Sequence, residues 1–265
     1  MKTHSSKNSQ RLPSDIDLSE LRLQTRDYTL AEKIDFEGMV RDYAGEDQFI
    51  LGYSDLTGLT KRYRKVPYAI TIGLRLDDAI IDGIIDGPTP AYFEHYQQIN
   101  RRLAEIAAQI QRTIQATIYA ATVIDPTTTH RAPESKHAAR ETLSASFSHK
   151  MAATRSGLGW IGKSGLFVSR RFGPRLRLVT VLTNYPLPFG TPVETSLCGD
   201  CDICVRLCPG KAATGIPWNP QKKREDFFDA HKCLAACRKL TLERLGQPIS
   251  ICGVCIAVCP VGREG

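Results

Sequence analysis

Downstream of Gly87-Pro88-Thr89-Pro90, the chain sets Ile99, Leu103, Ile106, Ile110 and Ile114 three or four residues apart, with polar residues between them. That spacing puts one apolar stripe on one side of a helix and predicts a long amphipathic helix laid on a sheet. Three short apolar runs bounded by turn residues, at 49–53, 66–76 and 118–124, predict buried strands. Residues 30–44, closed by Gly45, fit a helix, and 135–155 read as mainly helical. Residues 166–169 and 176–182 flank Gly173-Pro174 and predict a hairpin. Strands alternating with helices predict an α/β domain over residues 28–187, behind a flexible tail at 1–27. From Pro186 the texture changes to Pro, Gly and Cys, so residues 188–265 read as a second domain.

Composition refines this picture in two places. Hydrophobic residues at 42% and charged residues at 24% are ordinary for a globular chain of 265 residues. The N-terminal residues carry no apolar signal core, and no apolar run reaches the ~18 residues of a membrane span. The expectation is therefore a cytoplasmic protein with no membrane partner. A net charge of +7 permits an anionic partner, although no aromatic-interleaved RNA-binding pattern accompanies the basic runs. A Rossmann glycine pattern after a strand and a P-loop are both missing, so neither nicotinamide nor nucleotide chemistry is indicated.

The cysteines carry the chemistry. All nine fall after residue 187. Cys198, Cys201, Cys204 and Cys208-Pro209 spell C-x2-C-x2-C-x3-C-P, the bacterial run for iron–sulfur ligation in which the fourth cysteine serves the other cluster. Cys252, Cys255 and Cys259-Pro260 repeat the end of that run, with Ile249 where its first cysteine would stand. The crossover rule then assigns one 4Fe-4S cluster to Cys198, Cys201, Cys204 and Cys259. A second takes Cys208, Cys252, Cys255 and either Cys233 or Cys237. Zinc ribbons also use C-x2-C pairs, but not four cysteines in one close run ending in proline.

Upstream of these runs, the segment SHKMAATRSGLGWIGKSGLFVSRRFGPRLRLVTVLTNYPL, with CGDCDICVRLCPGKA after it, resembles the epoxyqueuosine reductases, which share a core with corrinoid reductive dehalogenases. The resemblance implies a corrinoid reductase/nitroreductase-like α/β core holding cobalamin, followed by a bacterial ferredoxin-like domain with two 4Fe-4S clusters. Under it, Gly157, Gly159, Trp160, Ile161, Gly162 and Lys163 of GLGWIGK would line the corrinoid site. Cys233, following His231-Lys232, would take the open ligand position. An external donor of flavodoxin or ferredoxin type would feed the clusters.

Two departures bear on the implied substrate. Leu143 stands where the family has its aspartate general acid, and a leucine cannot donate a proton. The sequence also ends five residues after Pro260, before the helical repeats that help the family hold tRNA. The expectation for tRNA is weak, salt-sensitive contact at most. His149, six positions after Leu143, is the candidate replacement acid. No D-x-H-x-x-G string is present, so a cobalamin without a protein histidine on cobalt is expected. The reading is thus a cobalamin-dependent reductase, and its rival is a 4Fe-4S electron carrier that binds no corrinoid.

Overall fold

The computed structural model describes residues 33–126, 143 and 145–263. Its centre is a four-stranded sheet in the order β1-β2-β6-β3, made of β1 (Phe49–Asp55), β2 (Tyr68–Arg75), β3 (Ala121–Ile124) and β6 (Leu176–Thr183). Every neighbouring pair is antiparallel. The alternation of helix and strand along the chain therefore gives mixed α and β content without parallel strands.

The two faces of this sheet differ in side-chain size. On one, Ile70, Ile72, Val179 and Val181 are fully buried. Against that layer lies α3 (Pro90–Gln115), presenting Ile99, Leu103, Ile106, Ile110 and Ile114, the stripe anticipated from the spacing. The Thr89 hydroxyl accepts from the Tyr92 N–H, and Pro90 opens the helix where its missing N–H costs nothing. At the far end the Gln111 and Gln115 side-chain amides both donate to the Ala121 carbonyl, fixing the entry to β3.

The other face is built from small residues. Gly52, Thr71, Gly73 and Ala69 alternate there with Ser54 and Thr180. A methyl on Gly52 would overlap the side chains of Ser156 and Leu158. This lets a short helix, α4 (His149–Arg155), sit close to the sheet with Ala152 and Ala153 buried. The helix expected over residues 135–155 is thus confirmed for its last turns, capped by Ser148, whose hydroxyl accepts from the Met151 N–H. Residues 127–142 and 144 lie outside the described residues. The first helix, α1 (Phe36–Ala44), starts later than the apolar pattern suggested because Asp35 caps it through the Gly38 N–H at 2.8 Å.

One pairing expectation is corrected. Residues 167–169 do not form a hairpin with the strand that follows; β5 (Phe167–Ser169) pairs with β4 (Gly159–Ile161) as a separate two-stranded ribbon. Only the single bridge between Ser169 and Gly173 remains of the predicted turn. The reason is steric. Gly173 has φ +55 and a methyl there would overlap the Val261 carbonyl, so this corner is used to receive the chain's C-terminal loop instead.

The cysteine-bearing segment contains α5 (Ile203–Arg206), α6 (Arg224–Phe227), α7 (Ala230–Leu245) and α8 (Val254–Ala257). Asp229 caps α7 by accepting from the His231 and Lys232 N–H groups, and Gly246 at φ +70 ends it. Arg175, 1% exposed, joins this segment to the sheet. Its guanidinium bonds Asp78 at 2.8 Å and Asp82 at 2.6 Å on α2 (Asp78–Asp82), and also the Ala257 carbonyl at 3.4 Å. No helix among the described residues is long and apolar enough to cross a membrane.

Arg175→Met should remove three anchored bonds from the buried corner while roughly keeping its apolar volume. We expect a loss of about 3 kcal/mol, the low end for breaking a buried ion pair because Asp82 is itself exposed. Urea unfolding of the apo chain measures it, and an unchanged midpoint would show that the clamp contributes nothing.

Candidate functional site

The second cysteine group lines a small cavity partly open to solvent. Cys208, Cys233, Cys237, Cys252 and Cys255 line it, with Cys204 at its edge and Leu166, Pro209, Ala213 and Phe228 as an almost wholly apolar wall. Three local devices bring these thiols together. The Cys208 loop lies flat on α7 because Gly210 leaves no side chain between it and the Lys232 carbonyl. The Cys208 sulfur accepts from the Ala212 N–H at 3.3 Å. Gly253, at φ +89, turns the chain between Cys252 and α8 where Ile84 and Tyr92 leave no room for a Cβ.

Cys233 and Cys237 are one helical turn apart on α7, with their sulfurs 3.9 Å from one another. Cys233 is half-buried and Cys237 is 5% exposed. Burial pushes the Cys255 thiol well up, and the charges of Cys252, Cys233, Cys204 and Cys208 add to it. Cys237 sits behind them, hydrogen-bonded to both Cys233 and Cys252. Those bonds hold the thiol of Cys237 high and bring its two neighbours down, Cys252 to about 7.

The first group forms around the loop 198–204. Burial pushes the Cys204 thiol up to about 11, helped by Cys198, Cys259 and Cys201. Burial likewise raises Cys259, beside Cys198 and Cys201. Each group therefore crowds thiols whose joint ionisation is opposed by burial and by one another. Among the described residues no three His, Cys, Asp or Glu side chains meet at the spacing of a single metal ion.

GLGWIGK lies against the first group. The Trp160 indole N–H donates to the Cys198 sulfur at 3.5 Å. The Lys163 ammonium, on a residue 8% exposed, donates to the carbonyls of Gly199 at 2.8 Å and Cys201 at 3.1 Å. Gly157, at φ +76, backs onto the Thr191 carbonyl, and Gly159 onto that of Val168. Gly162 leaves space for Val168 and the Cys198 sulfur, and Ile161 is buried. Gly157, Gly159 and Gly162 thus meet the chain itself where a Cβ would stand, while Trp160 and Lys163 reach the 198–201 loop.

His149 is corrected as well. It is buried in α4, with Nδ1 2.9 Å from the Thr180 hydroxyl and Nε2 3.0 Å from the Asp125 carbonyl. A carbonyl only accepts, so Nε2 carries the proton and Nδ1 accepts from Thr180. Both nitrogens are occupied, and burial brings the pKa down to about 4. A neutral ring with its only proton held by a backbone carbonyl is a structural pin, not an acid. Leu143, held through its carbonyl by Arg224 at 2.8 Å, offers no proton either. Sequence reasoning missed the contacts of Trp160 and Lys163 with the cysteine loop, because nothing in the spacing ties residues 160 and 163 to residues 198–201.

No family model matches the chain. Over 132 residues it is 32% identical to the epoxyqueuosine reductase of Aliivibrio fischeri, covering 46% of this chain and 32% of that protein. Over 119 residues it is 34% identical to the tetrachloroethene reductive dehalogenase of Sulfurospirillum multivorans, covering 41% and 22%. The chain thus spans only about a fifth to a third of these curated relatives. A solved reductive dehalogenase, described in terms of B12-dependent dehalogenation, matches 81% of this chain and 30% of its own with a TM-score of 0.59 at 18% identity, a likeness of fold.

The depressed His149 pKa fixes a sign. The unfolded ring takes up a proton near 6.5 and the folded one near 4, so this ring favours the fold fully above pH 6.5 and loses that contribution as pH falls towards 4. We expect the apo chain to lose about 2 kcal/mol between pH 7 and 5 through this group. His149→Gln should flatten that slope in denaturant titrations at the two pH values; an equally steep slope would assign the acid sensitivity elsewhere.

Proposed function

We propose that this chain, a relative of the epoxyqueuosine reductases and the reductive dehalogenases, is an iron–sulfur redox protein that passes electrons through two 4Fe-4S clusters to a corrinoid. The observation that carries the proposal is the gathering of all nine cysteines into two groups around the 198–204 loop and the apolar cavity. In this reading Cys198, Cys201, Cys204 and Cys259 hold one cluster. Cys208, Cys233, Cys252 and Cys255 hold the other, in a domain of bacterial ferredoxin-like connectivity.

The clusters would supply one-electron carriers, and the residues around them do the rest. Leu166, Ala213 and Phe228 give the second site an apolar wall. Cys204 lies in α5 and Cys208 two residues after it, and both border the cavity, which favours electron passage between the sites. Cys201 is the exposed cysteine and marks where a flavodoxin- or ferredoxin-type donor would approach. A corrinoid, when bound, would supply two-electron reduction of substrate. A second reading, a carrier without corrinoid, is favoured by Leu143 and by the pinned His149, which leave neither expected position able to supply a proton. tRNA enters as a partner only through the relation to epoxyqueuosine reductases.

Anaerobic reconstitution should load about eight iron and eight sulfide per chain. Cys233→Ala should lose about half of the iron, while Cys237→Ala keeps all of it. Stoichiometric zinc, or the reverse behaviour of the two variants, would overturn the ligand assignment.

Adding cob(II)alamin to the reconstituted chain should change its electron paramagnetic resonance signal to that of cobalt without a nitrogen ligand. An unaltered spectrum at saturating protein would remove the corrinoid and leave the carrier.

A further inference from the structure

GLGWIGK brings two hydrogen-bonding side chains to the first cysteine group. An N–H donor 3.5 Å from a ligand sulfur withdraws electron density from it, and the withdrawal matters more in the reduced state, where the cluster holds one more negative charge. Trp160 is 6% exposed, so water does not compete for that bond. Lys163 adds a positive charge at a site 8% exposed, fastened to two successive turns of the ligand loop. In a poorly solvated setting such a charge is weakly screened and stabilises the more negative state. The second group is served differently: the Ala212 backbone N–H donates to the Cys208 sulfur, and Lys150 lies near Cys233.

We infer that Trp160 and Lys163 are positioning residues that raise the reduction potential of the cluster held by Cys198, Cys201, Cys204 and Cys259. This rests on the two-cluster reading above. The same inference explains why the motif needs glycines. A Cβ on Gly162 would sit 3.5 Å from the Cys198 sulfur and press on Val168, and one on Gly159 would overlap the Val168 carbonyl. Without those side chains the β4–β5 ribbon is narrow enough to bring Trp160 to the sulfur. The role also differs from a mere clip on the loop. A clip would alter cluster retention, whereas these groups act on the energy of the added electron.

The test is a redox titration of the full chain, anaerobically reconstituted and reduced stepwise with dithionite, followed by electron paramagnetic resonance. The variants are Trp160→Phe, which keeps the ring and removes the N–H; Lys163→Met, which keeps the stem and removes the charge; and Lys163→Arg, which restores it. Trp160→Phe and Lys163→Met should each make one cluster about tenfold harder to reduce, ~59 mV for one electron. Iron content and the other cluster should be unchanged, and Lys163→Arg should lie close to the parent. Two unshifted potentials in variants with full iron would overturn the inference while leaving the clusters in place. Loss of about half the iron would also overturn it, by assigning the pair to loop retention. A parent chain that loads no iron would overturn the two-cluster reading and this inference with it.

Discussion

A guanidinium buried where three parts of the chain meet is the constraint on which the rest of the structure depends. Arg175 has no access to water, so its charge must be met by protein. Asp78 and Asp82 supply the negative charge and Ala257 a carbonyl. Meeting that charge ties the start of β6 to the short helix α2 and to α8, which carries Cys255. The glycine corner beside it tightens the same joint. Gly173 and Gly262 place the loop 172–173 against the loop 261–262 with no side chain between them. The last cysteine, Cys259, lies between these two anchors, and so its distance from the 198–204 loop is set by the sheet.

The residues that were legible in the sequence are those whose roles depend on near neighbours. The apolar stripe from Ile99 to Ile114 is a local periodicity, and it appears as the buried face of α3. The cysteine spacing is equally local, and the chain brings Cys208, Cys233, Cys237, Cys252 and Cys255 to one cavity. What was not legible depends on long-range packing. Residues 167–169 have strand-like composition, but nothing local says that residues 159–161 are their partners. His149 looks the same in sequence whether it faces solvent or is held between Thr180 and Asp125; only the small-residue face of the sheet, which admits α4, decides it.

The motif that carries the likeness to reductases thus has two sides in physical terms. Its glycines are needed because backbone approaches backbone there, and its tryptophan and lysine are buried because they bind the neighbouring loop. A motif can identify relatives correctly while the contacts of its individual residues are set by packing that the motif does not encode. The same holds for Leu143, whose backbone is held by Arg224 in a left-handed conformation at φ +49 although its side chain brings no acid–base chemistry.

The order of strands has a consequence for how the protein is made. β6 lies between β2 and β3, yet it is the last strand of the sheet to leave the ribosome. Until residue 183 has been synthesised, β2 has only β1 beside it, and β3 has no neighbour in the sheet at all. Pairing across so long an intervening stretch is slow, because loop closure precedes any gain from contact. The cysteines follow at once, from residue 198. Sheet closure and emergence of the first thiol run are therefore nearly simultaneous during translation, and the loop that Lys163 fastens can reach its final place only on a sheet that has just closed.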